Sequence, residues 1–216
     1  MSQRFSKGPS DGQEKRTHEA KFEVRAEDDA KPKIVGYAAV FNKRSVNFSY
    51  SEEYPLFEVI EPGAFRAAIN DDVRAVIDHE GGLQTLGRTK AGTLAISEDE
   101  IGLRFELTPP DTQAGRDIVE LIKRGDIDQA SFKFKVGPDG DRWEDQDDGK
   151  TTIRRIVAGG VARLYDVSPV TFPAYESTTV TSRSIENFLT EKRSRASAAR
   201  NRARELRLSI NEKLYG

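Results

Sequence analysis

A hydroxyl, an imidazole and a carboxylate are the parts of nucleophilic catalysis, and of these only the imidazole is scarce in this chain. Ser131 lies in GDIDQASFKFKV, residues 125–136, where a turn leads into a strand. Phe132, Phe134 and Val136 alternate there with Ser131, Lys133 and Lys135, so the spacing puts the serine on the face opposite the phenylalanines. The aromatic side chains anchor such a strand in a core while the hydroxyl faces away. A strand serine is ordinarily a surface hydroxyl, and it becomes a nucleophile only with a base beside it. The chain has two histidines, His18 and His79. His18 falls in a polar leader, which leaves His79, just past an apolar strand, as the candidate base. Its ordinary reading is a strand-end cap that hydrogen-bonds a loop carbonyl. Asp and Glu are too numerous for composition to pick the carboxylate that would fix the imidazole tautomer. A G-x-S-x-G elbow is missing, which argues against an α/β-hydrolase arrangement.

Composition narrows the chemistry further. The 216 residues suit one domain with appendages or two small domains. Hydrophobic content of 36% beside 32% charged residues is lean, and it suggests poorly packed charged segments at the ends. The absence of cysteine excludes disulfides, a thiolate nucleophile and Cys-based zinc sites. With two histidines in all, a zinc centre is not expected, nor any other metal or cofactor. A net charge of −2 speaks against a wholly basic nucleic-acid binder. No apolar run is long enough for a membrane span and no signal-peptide core is visible, so an intracellular, membrane-free protein is expected.

The elements that must position these residues are mostly strands. Residues 1–21 are polar, aperiodic and expected to be a disordered leader. Residues 22–25 and 34–41 read as a hairpin, 56–60 and 73–77 as strands, and 93–96 with 103–107 as a second hairpin. Ala64 to Ile69 suggests a short helix, and Glu80 to Thr85 a glycine-containing loop. After Pro109-Pro110, Asp111 or Thr112 can cap a helix running through Lys123, with Gly125 as its C-cap. The acidic run Asp139 to Asp148 lacks the spacing of a calcium loop and reads as a solvated hairpin tip. Strands follow at 152–157 and 161–165. Strand number and order indicate a β-rich α+β fold rather than a doubly wound one. From Arg183 to Gly216 nine Lys or Arg face four Glu, a local charge of about +5 on a partly helical tail behind a Thr/Ser linker.

Several short runs appear in a telling order: GYAAVFN from Gly36, EPGAF from Glu61, Asp78-His79, LGRT from Leu86, DTQAGRD from Asp111, SFKF from Ser131 and DVSPVTFPAY from Asp166. Together they resemble the prohead (procapsid) maturation proteases of tailed bacteriophages, over roughly residues 22–182. The resemblance implies a serine endopeptidase with the fold of the herpesvirus assemblins, a closed β-barrel flanked by helices. It makes Ser131 the nucleophile, His79 the general base and Asp166, ahead of the Val-Ser-Pro-Val run, the third member; Glu144 is the alternative carboxylate. Oxyanion donors are expected to be backbone N–H groups, by analogy near Arg154 and Arg155. Lys133 departs from the small residue many relatives carry after Ser-Phe, and would narrow the substrate cleft or project beside it.

The organisation implied is a leader over 1–21, a protease domain over 22–182 and a basic tail over 183–216. Such an enzyme would act in the host cytoplasm inside the immature prohead. Its partners would be the major capsid protein with its scaffolding segment, and further copies of itself, and it would cleave the scaffold and its own chain. No membrane partner is expected, and nucleic acid only weakly through the tail. The alternative is a non-enzymatic scaffold module that keeps the barrel and docks through its basic tail.

Overall fold

Turn residues and apolar alternation resolve into strands β1 (Gln13–Glu19), β2 (Glu23–Arg25), β3 (Lys33–Val40), β4 (Leu56–Ile60), β5 (Arg74–Ile77) and β6 (Glu80–Arg88). They continue as β7 (Leu94–Glu98), β8 (Gly102–Leu107), β9 (Gln129–Val136), β10 (Asp141–Asp145), β11 (Thr152–Ile156) and β12 (Val161–Val170). One α-helix, α1 (Gln113–Arg124), and a short 3₁₀ turn at Thr89–Ala91 precede β9. The structure is a computed structural model that describes residues 12–25, 31–49 and 52–171, with the isolated positions 194, 201 and 202.

The expected closed barrel flanked by helices is not what this chain builds. Its strands form three open sheets, ordered β1-β9-β12-β5-β6, β10-β11-β4 and β2-β3-β8-β7. Closure would need every strand to be bonded on both sides, yet each sheet ends in edge strands. The sheets meet through side chains instead, in one apolar cluster that includes Phe65, Phe105, Phe132, Phe134, Leu107 and Ile118. Alternating apolar residues announce that a strand has a buried face. They do not say whether its edge is hydrogen-bonded, so the sequence pattern suits a barrel and a stack of open sheets equally well.

Local expectations fare unevenly. Thr112 caps α1, its hydroxyl accepting from the Gly115 N–H at 3.3 Å, and Gly125 ends it in the left-handed region at φ 79°. Gly115 has no room for a side chain, since a Cβ there would meet the Pro110 carbonyl oxygen. The Ala64–Ile69 segment is a run of turns rather than a helix, and Glu80 to Thr85 belongs to β6 rather than to a loop. The acidic run is not all a solvated tip, because β10 pairs antiparallel with β11. The largest departure lies in the leader. Residues 13–19 are not disordered but form β1, paired with β9 from Gln13↔Lys135 to Glu19↔Gln129. The tail from 183 lies outside the described residues apart from Ser194, Asn201 and Arg202, which are helical. No helix of the described residues is long and apolar enough to cross a membrane.

Candidate active site

Ser131 is set by its strand. Phe132 and Phe134 are fully buried and touch each other with ring centroids 4.9 Å apart, and Phe132 meets Phe65 edge-on at 5.6 Å. Burying two such rings stabilises β9 by about 1.5–3 kcal/mol each. Alternation then sends Ser131 to the other face, but that face is not open surface. Ser131 is 0% exposed.

His79 is set by a turn. Ile77 of β5 pairs with Glu80 of β6, so Asp78 and His79 alone make the connection, with φ of 48° and 64°. Two consecutive positive φ values mark the tight hairpin turn whose twist suits antiparallel strands. A non-glycine residue there costs roughly 1–2 kcal/mol, so something must hold it. The Asp78 N–H donates to the Pro169 carbonyl at 3.2 Å. Its carboxylate accepts from the Thr171 N–H at 2.9 Å and from the Thr171 hydroxyl at 3.0 Å. The turn is thereby pinned to the end of β12.

Asp166 lies on β12, which runs between β5 and β9. Registers Ser168↔Ser131 and Asp166↔Lys133 put Asp166 and Ser168 of β12 on the same face of the sheet as Ser131 of β9. The His79 Nδ1 is 2.6 Å from an Asp166 carboxylate oxygen, and its Nε2 is 2.6 Å from the Ser131 hydroxyl. A carboxylate only accepts, so Nδ1 carries the hydrogen and Nε2 faces Ser131 with its lone pair. The Ser168 hydroxyl donates to the same Asp166 oxygen at 3.1 Å. Lys133 turns toward the site, its Nζ 3.5 Å from the other Asp166 oxygen. The imidazole and carboxylate are almost wholly buried.

Two contacts to Ser131 come from β1. The Ser131 hydroxyl donates to the Arg16 carbonyl at 2.7 Å, and the Thr17 hydroxyl donates to Ser131 at 3.1 Å. A hydroxyl has one hydrogen to give. The Arg16 carbonyl and His79 Nε2 are therefore rivals for it.

A second polar cluster lies on the other face of β1. Arg16 grips Glu58 through Nε at 2.6 Å and a terminal nitrogen at 2.7 Å, and also reaches Glu14 at 2.6 Å. Its guanidinium lies 4.9 Å from the Phe48 ring centre and 5.2 Å from that of Phe134. Arg154, 1% exposed, binds Glu14 at 2.5 and 2.9 Å, Glu58 at 3.0 Å and Asp141 at 2.5 Å. Burial works to raise the Glu14 carboxyl, but the guanidiniums of Arg16 and Arg154 hold it below the usual carboxylate range. Arg16 and Arg154 are raised against the same opposing burial, by Glu58 and Glu14. Both therefore stay charged.

The backbone of Arg154 and Arg155, near which the oxyanion donors were expected, belongs to β11. β11 is the middle strand of its sheet, with Arg154 and Arg155 in register with β10 on one side and β4 on the other. The alternative carboxylate, Glu144, bonds Arg155 at 2.7 Å rather than an imidazole. Among the described residues no group of three His, Asp or Glu is arranged to hold a metal ion. Sequence reasoning missed Asp78, Ser168, Arg16 and Thr17. The Asp78-His79 run just past an apolar strand was the signal available for the turn.

A family model described as caudovirus prohead serine protease matches residues 20–191. No curated protein and no solved structure gives a significant match.

Proposed function

The chain belongs to the caudovirus prohead serine protease family, and we propose that Ser131, His79 and Asp166 are its nucleophile, general base and orienting carboxylate. Membership makes it a serine protease of phage capsid maturation, acting in the procapsid inside the host cell. The observation that carries the residue assignment is the unbroken line from Asp166 through His79 to Ser131, with both links at 2.6 Å.

The chemistry follows from those contacts. The Ser131 Oγ attacks the carbonyl carbon of a peptide bond as His79 Nε2 takes its proton. The resulting imidazolium is stabilised by Asp166 through Nδ1–H. Nε2 then returns the proton to the departing amine, and the C–N bond breaks to leave an ester on Ser131. Water repeats the relay: His79 removes its proton, oxygen adds to the ester carbon, and the proton goes back to Ser131 as the acid leaves. Ser168 holds the Asp166 oxygen facing the ring, and the Lys133 ammonium lies beside the other carboxylate oxygen. The substrate is the scaffolding segment of the major capsid protein, met inside a prohead where several copies of the protease gather. The enzyme also cuts its own chain, in the Thr/Ser linker between Val180 and Ser184, which frees the core from the basic tail.

Coexpression with the major capsid protein, read by intact mass, tests this directly. The wild type shortens the capsid protein and itself, and a fluorophosphonate adds its mass to Ser131. Ser131→Ala keeps the fold, since one hydroxyl is lost from a strand anchored by its phenylalanines, and does neither. Processing by the alanine variant at a comparable rate would remove Ser131 from the mechanism.

A further inference from the structure

The strand β1 is out of place for a protease at work. It lies ahead of the segment that matches the family model, which begins at residue 20. It occupies the outer edge of β9, the strand that carries the nucleophile, with Thr17 directly opposite Ser131. An extended peptide pairing with an exposed strand edge is a recurring way to present a backbone to a cleft. Here the chain's own residues 13–19 fill that edge. They leave Ser131 with no exposure at all.

The contact at the nucleophile is unproductive. What faces Oγ is the Arg16 carbonyl oxygen, which accepts its hydrogen at 2.7 Å. Attack needs the carbonyl carbon, about 1.23 Å behind that oxygen, and it needs the hydrogen directed at His79. β1 therefore resembles a substrate in path and register while withholding the electrophile and holding the proton.

Its anchoring has the form of a readable pocket. A bidentate carboxylate, Glu58, and two aromatic rings, Phe48 and Phe134, enclose the Arg16 guanidinium. That set suits a planar cation better than an ammonium or an apolar chain. The adjoining cavity, about 270 Å³, is lined by Arg16, Val40, Lys43, Phe48 and Phe132 among others. The strand also brings its own neutral pair, Glu14 with Arg16. When it departs, Glu58 and Arg154 still have each other at 3.0 Å, and Asp141 stays on Arg154. The charges that line the groove therefore keep partners without its occupant.

We propose that β1 is a built-in pseudosubstrate. It closes the site before assembly, and the segment of capsid protein that replaces it pairs with β9 in the same direction and puts an arginine between Phe48 and Phe134. This rests on the assignment of Ser131 as nucleophile.

A reversible lock tests it on the full chain. The Ala20 N–H donates to the Asp128 carbonyl, so residue 20 opposite 128 is a hydrogen-bonded pair. By alternation Gln13 and Lys135 face each other as a non-hydrogen-bonded pair, the closer kind. With no native cysteine to interfere, Gln13→Cys with Lys135→Cys can be oxidised to one disulfide. The locked form should lose fluorophosphonate labelling of Ser131, and reduction should restore it. In a second arm, Arg16→Glu sets like charges against Glu58 and should speed labelling by about tenfold or more as the closed population falls. A synthetic peptide of residues 12–20 should then slow labelling of that variant, whereas the same peptide with Glu in place of Arg16 should not. Equal labelling of the locked and reduced forms overturns the proposal, as does equal inhibition by the two peptides. A chain that labels in no form, Arg16→Glu and reduced cysteine variant included, overturns the nucleophile assignment and this inference with it.

Discussion

The two faces of β1 meet two buried polar clusters that are built on opposite terms. On one face Thr17 reaches Ser131, where one hydroxyl hydrogen is contested by two acceptors, His79 and the Arg16 carbonyl. On the other, Glu14 and Arg16 enter a set of charges in which every partner is answered: Arg16 by Glu58 and Glu14, Arg154 by Glu14, Glu58 and Asp141. The first cluster has a proton free to move and little to hold it together. The second has no proton to move and holds a strand in place. Low dielectric makes both arrangements costly if incomplete. The difference between them separates a site that does chemistry from one that anchors.

Removing the charge at the moving end should have the largest effect. Asp166→Asn keeps the shape, but the amide favours the wrong imidazole tautomer and no longer stabilises the imidazolium. Losses of about ten-thousandfold in turnover accompany this exchange in a triad. Capsid processing rates would record it, with unfolding midpoints close to wild type. Glu144→Gln, which disturbs only partly exposed pairs with Arg155 and Arg142, should leave turnover within about twofold. If the two variants behaved alike, the third member would have to be sought elsewhere.

The anchoring cluster should answer in the opposite currency of stability. Arg154→Leu leaves Glu14, Glu58 and Asp141 without their common guanidinium. Breaking one partner out of a buried charge set costs about 3–5 kcal/mol, visible in a denaturant titration. Glu14→Leu combined with Arg16→Leu removes a neutral pair together and should cost far less. That variant should also label faster with fluorophosphonate, because β1 then lacks its grip. A stable Arg154→Leu protein with slowed chemistry would mean that the two clusters are one.

How far the sequence reveals these clusters depends on which interactions carry them. Ser131 and its strand are legible because Phe132 and Phe134 announce the buried face. The Asp78-His79 position is legible as the end of an apolar run, and Asp166 only through the resemblance to the family. The leader is where reading failed. Residues 14, 16 and 18 of β1 face inward, yet they are Glu, Arg and His, so alternation of apolar and polar residues never appears. Burial by charge pairing depends on Glu58, 42 residues from Arg16, and Arg154, 140 residues from Glu14. No local pattern contains that information. The open sheets were hidden for a related reason, since packing between sheets and bonding within them leave the same periodicity.

A middling effect is expected where the chemistry is held rather than performed. Asp78 touches no substrate; it pins the His79 turn to Thr171 and Pro169. Asp78→Ala gives up about 1 kcal/mol per hydrogen bond lost and also disfavours positive φ. The imidazole then drifts from Ser131, and turnover should fall by roughly tenfold to hundredfold with the Michaelis constant little changed. Asp78→Asn keeps an acceptor for the Thr171 N–H and tolerates the left-handed region, so it should recover most of the loss. Failure of that rescue would point to general damage to the turn rather than to positioning.

The smallest effect concerns how β1 lets go in acid. His18 donates from Nδ1 to the Glu19 carbonyl at 2.7 Å, while its Nε2 is buried with no hydrogen-bond partner. Burial pushes its pKa below the ordinary 6.5, and nearby Lys43 opposes protonation further. The docked strand therefore binds fewer protons at His18 than the released one, and docking strengthens as pH rises. The contribution is complete well above pH 6.5 and is lost as pH falls below that value. Glu14 acts in the same direction but lower, since a carboxyl held below its ordinary 4.5 weakens docking only as pH drops past that point. Labelling of Ser131 is a poor readout here because the labelling reaction itself depends on pH. Hydrogen exchange of the β1 amides, taken against those of β12 and corrected for intrinsic rates, isolates the strand. Protection of residues 13–19 should decline modestly between pH 7 and pH 5 in the wild type and stay level in His18→Gln, which keeps a polar side chain but cannot charge. A decline of equal size in His18→Gln would assign the acid response to the charge cluster around Arg154 instead.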